Sequence, residues 1–257
     1  DEAGPFLMST ENGRQIFVLG HGEYDAEHRI YTLRLSQTCA GTPGQPDKAP
    51  FVIPVAMGLV TADGRNLQLH LEGHLLPVGQ STVLVLSEPE QTFTFVHVPA
   101  EPVPSLLRGF SAPVVLEAEL GDDALFTLLS HDHDPFNRWE AAQKLALRRL
   151  LNAVRGNGHV DLDAHFVQAL RGVLRNPDLD AAFKELVLTL PSEAYMAEQL
   201  DVVDPQRIHQ ARESMKELAT TDGEDRSAVA HRLKGSAQSV GATAVAQAAA
   251  ALEENPA

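Results

Sequence analysis

Apolar and polar positions alternate through roughly the first 120 residues of the chain. In YTLRLSQ at 31–37, Tyr31, Leu33 and Leu35 occupy every second position, which is the period of a half-buried strand. Three further segments repeat this pattern: 67–73, 81–86 and 91–98. Asp63-Gly64 supplies a hairpin turn between two of the apolar runs. Short strands at this spacing predict an antiparallel sandwich, and a small barrel fits the same pattern.

After Gly121 the apolar positions recur with a helical period to the end of the chain. Asp134-Pro135 is a capping residue followed by proline at the first helical position, and Gly156 is the stop signal of that helix. We expect further helices to open at four places: Asp161 or Asp163, Asp178, Ser192 and Asp204-Pro205. Short helices with tight connections predict a stacked helical array that follows the β region.

Composition and charge narrow the class of protein. A chain of 257 residues with 44% hydrophobic content can bury one or two sizeable cores, and its length predicts about two domains. The formal charge of −15 disfavours binding to phosphate backbones or anionic lipid, so we expect neither nucleic acid nor a membrane as partner. Cys39 has no second cysteine to pair with, and no apolar run reaches the roughly 18 residues of a membrane span. These features predict a soluble protein of the reducing cytoplasm.

The start at Asp1, with no initiator methionine or secretory leader, predicts a piece of a longer protein.

Most of the chain resembles one known family. The resemblance is carried by YTLRLSQTCAGTPGQPDKAPFVIPVAMGL, EQTFTFVHVPAEPVPSLLRGFSAPV, DPFNRWEAAQ and FKELVLTLPSEAYMAEQLDVVDP. These strings resemble the bacterial zinc-dependent aminopeptidase N family over about 25–220. The resemblance implies the immunoglobulin-like β-sandwich that follows the catalytic domain, at 26–120, and then the start of the C-terminal α-helical domain, at 121–222. The expected fold class is therefore multidomain, an immunoglobulin-like antiparallel β-sandwich followed by an α-helical array.

The motifs that such a peptidase needs for chemistry are missing. Zinc hydrolysis in this class requires HExxH on one helix, with two histidine ligands and a glutamate base, and no HExxH occurs in the sequence. The family's GxMEN string is also absent. The run His131-Asp132-His133-Asp134 is expected to be a solvated loop rather than a metal site. We therefore expect no metal, no cofactor and no activity from the chain alone, and an aminopeptidase catalytic domain is a possible partner.

The N-terminal segment DEAGPFLMSTENGRQIFVLGHGEYD resembles the homoserine O-succinyltransferase family at its GHxEYD string. On that match His21 would correspond to the catalytic base and Glu23 to the acid that orients it. The cysteine nucleophile of that family lies far upstream of the motif and has no counterpart here. We therefore expect no catalysis by His21, and we interpret 1–25 as a foreign-looking segment that adds a strand or hairpin to the sandwich. An acyltransferase remnant is the remote alternative.

The C-terminal segment RSAVAHRLKGSAQSVGATAVAQAAAALE, within about 224–254, resembles the histidine phosphotransfer domain of bacterial phosphorelays. The resemblance implies that His231 is the phosphoacceptor and that the partner is a response-regulator receiver domain. Lys234 would neutralise the added charge and Gly235 would leave room for the receiver to approach. That family forms a four-helix bundle, and 223–257 is long enough only for a partial bundle, a helical pair.

Two classes of function remain from the sequence. In the first, the chain is the non-catalytic scaffold of an aminopeptidase N-like metallopeptidase. In the second, it carries a histidine phosphotransfer module on an inert scaffold. Three separate resemblances indicate a composite chain, and natural fusion, engineering and sequence assembly error all account for such a composite.

Overall fold

The computed structural model describes residues 16–156, 158–160 and 163–221, with side chains as far as residue 216. The chain divides into two compact units between Arg138 and Trp139. Strands occupy the first part of the described chain and helices the rest, in the order that the sequence predicts.

The described part of the first unit contains seven strands. They are β1 (Ile16–Asp25), β2 (Ile30–Cys39), β3 (Ile53–Thr61), β4 (Thr82–Leu86), β5 (Glu90–Phe95), β6 (Pro102–Leu106) and β7 (Val115–Ala118). They form a four-stranded sheet in the order β5-β2-β1-β7 and a three-stranded sheet in the order β4-β3-β6. The β1–β7 pair is parallel and the other pairs are antiparallel.

The core of this unit is built from the inward-facing residues of both sheets. Leu33 and Leu35 of β2 and Val55 and Met57 of β3 are completely buried, and the residues between them in each strand lie on the outer faces. Burying each such side chain contributes about 1.5–3 kcal/mol. The alternation seen in the sequence therefore corresponds to the two faces of each sheet.

The strand at 16–25 is an integral part of the four-stranded sheet. It pairs with β2 over ten positions, from Ile16 opposite Cys39 to Asp25 opposite Ile30, and it also pairs with β7. Ile16 and Val18 enter the core. The boundary predicted between 25 and 26 therefore falls in the turn of the β1–β2 hairpin, so the described part of 1–25 belongs to the sandwich.

The turn at Asp63-Gly64 is confirmed, but the strand predicted at 67–73 is not formed. Gly64 has φ 88°, a conformation that glycine adopts at little cost, and its N–H donates to Thr61 O at 2.8 Å. The segment after the turn makes only isolated bridges, such as Leu69 to Gly79. Leu69 of this segment is buried in the core, although the segment forms no continuous ladder of strand hydrogen bonds.

Six helices follow in the described ranges. They are α1 (Asp122–His131), α2 (Pro135–Arg155), α3 (Ala164–Arg175), α4 (Ala181–Leu188), α5 (Glu193–Glu198) and α6 (Pro205–Thr221). α1 packs on β3 and β6. The predicted boundary at 120/121 thus precedes a helix that lies within the first compact unit. No helix in the described ranges is long and apolar enough to cross a membrane.

The helix caps largely follow the sequence signals. Asp163 accepts a hydrogen bond from Phe166 N at 2.8 Å, and Ser192 caps α5 through Tyr195 N. The prediction that Asp178 opens the next helix is wrong, because Asp180 caps α4 and accepts from Ala182 N at 2.6 Å. Asp178 instead lies in the preceding turn, where its N–H donates to Asn176 Oδ1.

The second unit buries apolar side chains from its helices, among them Leu145, Leu150, Phe166, Met196 and Ile208.

Candidate functional site

His21 and Glu23 lie together on the outer face of the four-stranded sheet. His21 Nε2 is 3.3 Å from Glu23 Oε1, and more than half of each side chain is exposed. They are two residues apart on β1, so their side chains project on the same side. In the register of β1 with β2, His21 stands opposite Arg34 and Glu23 opposite Thr32. The pairing predicted from the GHxEYD string is present as a solvent-exposed contact.

The cysteine of this chain is far from that pair. Cys39 stands opposite Ile16, five strand positions from His21, which is about 17 Å at the usual rise of a strand. Its side chain packs against the core, whereas His21 projects outward. Lys48 Nζ donates to the sulfur at 3.5 Å. The structure therefore brings no thiol to His21, and the described residues do not assemble an acyltransferase site.

In the run from His131 to Asp134, which we expected to be a solvated loop, His131 and His133 are exposed, but Asp132 is buried and Asp134 is partly buried. Asp132 is 1% exposed, and its Oδ1 lies 3.3 Å from Arg108 Nη2. Asp134 accepts hydrogen bonds from Gly109 N and Asn137 N at 2.7 and 2.9 Å. Both carboxylates are committed to holding the α1–α2 connection on the sandwich. The burial of Asp132 depends on tertiary structure, because its cationic partner Arg108 comes from a loop after β6.

Arg108 is the centre of a partly buried polar network that the sequence did not reveal. Its guanidinium donates to Ser105 Oγ and Asn66 Oδ1, both at 2.7 Å, and to Gln80 O at 3.3 Å, in addition to Asp132. The network extends from Ser105 Oγ to the buried Asn137 side chain at 2.8 Å. Since these donors are directed to protein acceptors, the network is structural and does not offer an open anion site.

The backbone near Arg108 adopts unusual conformations that place the Arg108 side chain in this network. Leu107 and Phe110 have φ of 55° and 53°, values that non-glycine residues rarely adopt. Such residues cost about 1–3 kcal/mol each and persist where the surroundings enforce them. Gly58 on β3 leaves room for the guanidinium, because a Cβ there would overlap it. A lone arginine between apolar residues and glycine, as in LLRGF, was the only sequence signal of this network.

No metal site is found among the described residues, and the residues of the predicted phosphotransfer site are not among them. Within the described ranges, no three histidine, cysteine, aspartate or glutamate side chains are grouped as metal ligands. The residues present do not fit a catalytic zinc ion, because the HExxH ligand set is absent from the sequence as well. His231, Lys234 and Gly235 lie outside the described residues.

Two family models match successive parts of the chain. The first, a domain of unknown function (DUF3458) with an Ig-like fold, matches residues 18–119. The second, a domain of unknown function (DUF3458_C) with ARM repeats, matches residues 122–253. The first match includes most of β1, in agreement with its place in the sheet. The second includes the positions of His231, Lys234 and Gly235.

Individual relatives are similar to the same region. Aminopeptidase N of Escherichia coli is 39% identical over 203 residues, which are 78% of this chain and 23% of that protein. The crystal structure of Legionella pneumophila aminopeptidase A in complex with aspartic acid superposes with a TM-score of 0.66 at 23% identity, covering 86% of this chain and 24% of that one. A shorter match, 56% identical over 27 residues, is to homoserine O-acetyltransferase of Clostridium acetobutylicum. The chain thus spans about a quarter of the length of the aminopeptidases that it matches.

Proposed function

Because the chain belongs to the DUF3458 family, with its Ig-like domain and ARM repeats, we propose that it is the non-catalytic scaffold portion of an aminopeptidase N-like metallopeptidase. One observation carries the proposal. The match to E. coli aminopeptidase N covers 78% of this chain but only 23% of that protein, and the matched part here contains no HExxH. On this proposal the scaffold binds the catalytic part of the enzyme and has no peptidase activity by itself.

The first experiment measures hydrolysis of an alanyl chromogenic substrate by the purified 257-residue chain, together with its zinc content after dialysis. We expect neither hydrolysis nor stoichiometric zinc, because the ligands for a catalytic ion are missing. Full-length E. coli aminopeptidase N is the positive control. Hydrolysis with about one zinc per chain would contradict the proposal.

The second experiment tests the scaffold role itself. The catalytic part of E. coli aminopeptidase N, produced without its DUF3458 segment and confirmed as folded by circular dichroism, is mixed with the 257-residue chain. We expect a one-to-one complex in sedimentation and calorimetry. Failure of this folded protein to bind would remove the support for a scaffold function.

The string HRLKGSA at 231–237 favours a second candidate, a phosphocarrier that exchanges phosphoryl groups with a receiver domain. On this proposal a phosphorylated receiver domain, incubated with the chain, transfers an acid-labile label to His231, and His231→Gln removes it. His209→Gln is the matched control, since His209 is an exposed histidine on α6 whose Nδ1 lies 3.0 Å from Glu193 Oε1. Absence of label on the parent chain leaves the scaffold function alone.

A further inference from the structure

Cys39 and Lys48 lie beside each other, although they are nine positions apart in the chain. Lys48 Nζ donates a hydrogen bond to Cys39 Sγ at 3.5 Å. Cys39 is the last residue of β2, and Lys48 lies in the segment that leads to β3. Both residues are half-buried, and the Cys39 side chain packs against the core of the sandwich. Two nucleophilic groups, a thiol and an amine, are thus held in contact at the edge of this core.

A tight turn in the connecting segment doubles the chain back on itself. Thr42 and Gln45 exchange both backbone hydrogen bonds, with Thr42 N donating to Gln45 O at 3.0 Å and Gln45 N to Thr42 O at 2.8 Å. The two residues between them are Pro43 and Gly44, and Gly44 has φ 83°. Proline followed by a glycine with positive φ is typical of a type II turn. The local sequence TPGQ therefore accounts for this turn.

The turn sets the two side chains opposite each other. Counting outward from its hydrogen-bonded pair, Gly41 stands opposite Pro46 and Cys39 opposite Lys48. The backbone is close at the first of these positions, because a Cβ at Gly41 would lie 2.5 Å from Pro46 O. The hydrogen bond from Lys48 Nζ to the sulfur marks the second. The contact is thus prepared by the path of the backbone and does not depend only on the reach of a long lysine side chain.

We propose that this pair is a site of reversible oxidation, at which peroxide joins Cys39 Sγ to Lys48 Nζ through a sulfur–nitrogen bond. Peroxide converts a cysteine to its sulfenic acid, and a sulfenic acid condenses with a second thiol or with a nitrogen. Cys39 is the only cysteine in the sequence, so no second thiol of the same chain competes with the neighbouring lysine amine, which is itself a nucleophile. The inference is independent of the proposed scaffold function.

The reaction balances in atoms and electrons. In its first step the Cys39 thiol and hydrogen peroxide give the sulfenic acid and water, so that the sulfur loses two electrons and the peroxide gains them. In the second step the unprotonated Lys48 nitrogen attacks the sulfur and the sulfur–oxygen bond breaks. The hydroxyl group leaves as water with one proton of the amine. The linked chain therefore has two hydrogen atoms fewer than the reduced chain, and attack by an added thiol on the sulfur releases the amine again.

The experiment treats the reduced 257-residue chain with hydrogen peroxide at alkaline pH, where more of a lysine amine is unprotonated. Free thiols are then blocked, the chain is denatured and digested with trypsin, and the peptides are identified by mass spectrometry. We expect residues 35–65 to remain one peptide, because trypsin does not cleave after a linked Lys48. Its mass should be about 2 Da below that of the same peptide in its reduced, uncleaved form. Dithiothreitol should restore both the mass and the cleavage after Lys48.

Two lysine variants identify the nitrogen. Lys48→Arg keeps the positive charge but replaces the amine with a guanidinium, so we expect only oxygen adducts on Cys39 and no loss of two hydrogen atoms. Lys144→Arg is the matched control, because Lys144 pairs with Glu140 on α2, and its product should equal that of the parent chain. Circular dichroism of the variants, expected to match the parent chain, shows that a lost link does not come from unfolding.

Three results would overturn the inference. The first is normal cleavage after Lys48 in the oxidised parent chain, with only oxygen adducts on Cys39. The second is a loss of two hydrogen atoms that persists in Lys48→Arg, which would assign the bond to a backbone nitrogen. The third is a disulfide-linked dimer as the main product, which would show that the thiol of a second copy reaches the oxidised sulfur before the lysine amine does.

Discussion

Asp132 Oδ1 lies 3.3 Å from Arg108 Nη2, and the two side chains are only 0% and 11% exposed. The Asp132 carboxylate is therefore shielded from water and the Arg108 guanidinium largely so, which makes their attraction important for the burial of both. Removing one partner of a buried ion pair commonly costs about 3–5 kcal/mol, because an uncompensated charge stays behind. The pair joins the loop after β6 to the connection between α1 and α2, so its loss should affect the whole first unit.

We accordingly predict that Arg108→Met lowers the free energy of unfolding by about 3–5 kcal/mol. Urea denaturation monitored by circular dichroism measures the change. Arg65→Met is the control, since Arg65 forms an exposed pair with Asp63 at 2.8 Å, and solvent screening leaves exposed pairs with little effect on stability. Equal effects of the two substitutions would show that the Arg108 network does not stabilise the fold.

Gly22 is required by the ring of Tyr31. A Cβ at Gly22 would overlap the buried Tyr31 hydroxyl and come within 2.7 Å of Tyr31 Cζ, so Gly22→Ala should destabilise the sandwich by about 1–3 kcal/mol through overpacking. Gly172→Ala is the control, because apart from adjacent residues and the nearby backbone of α3 no heavy atom lies within 4 Å of its Cβ position. There alanine should stabilise the helix by about 0.5–1 kcal/mol.

Tyr31→Phe offers a second test of the same contact. The Tyr31 hydroxyl is buried without a hydrogen-bond partner, and burial raises the pKa of this phenol well above its usual value. Removing the hydroxyl should therefore leave stability unchanged or slightly increased, and should reduce the cost of Gly22→Ala. A double-mutant cycle measured by thermal denaturation gives the coupling. Purely additive effects would contradict the contact.

Gln37 of β2 holds the segment before β3 and the turn between β4 and β5 against the four-stranded sheet. Its Nε2 donates to Phe51 O at 2.9 Å and to Glu88 O at 3.1 Å, while its Oε1 accepts from Phe51 N at 2.8 Å. Gln37→Met should leave these backbone groups unpaired and cost about 1–3 kcal/mol in the free energy of unfolding. Gln91→Met, at an exposed contact with Ser87 N, should cost much less. Similar losses in the two variants would rule out the link.

Asp163 should make the second unit sensitive to acid. Burial opposes its charge, but hydrogen bonds from the Arg149 side chain and Phe166 N outweigh that effect and lower the pKa of Asp163. A carboxylate whose folded pKa is depressed stabilises the fold above its unfolded value of about 3.9, and the contribution is lost as pH falls through the folded pKa. Asp163→Asn keeps a helix cap and should flatten the decline in stability below about pH 4. An unchanged pH profile from pH 6 to 2 would contradict this role.

The sequence alone determined the order of the elements and the absence of the HExxH string. Alternation in 31–37 identified β2, and Asp134-Pro135 identified the start of α2, because strand period and helix caps are local properties of the chain. The absence of HExxH is also complete in the sequence, since those ligands must share one helix. The strings that resemble aminopeptidase N identified the relatives for the same reason, as ordered and continuous runs of residues.

Only the tertiary structure decided what those elements do together. It placed 16–25 between β2 and β7, and it set Cys39 and His21 on opposite faces of the sheet. In the folded chain Asp132 is a buried partner of Arg108, which is 24 positions earlier in the sequence. Strand register and the burial of a charge depend on residues that are distant in sequence. A local sequence pattern therefore does not identify the cation that pairs with a given carboxylate.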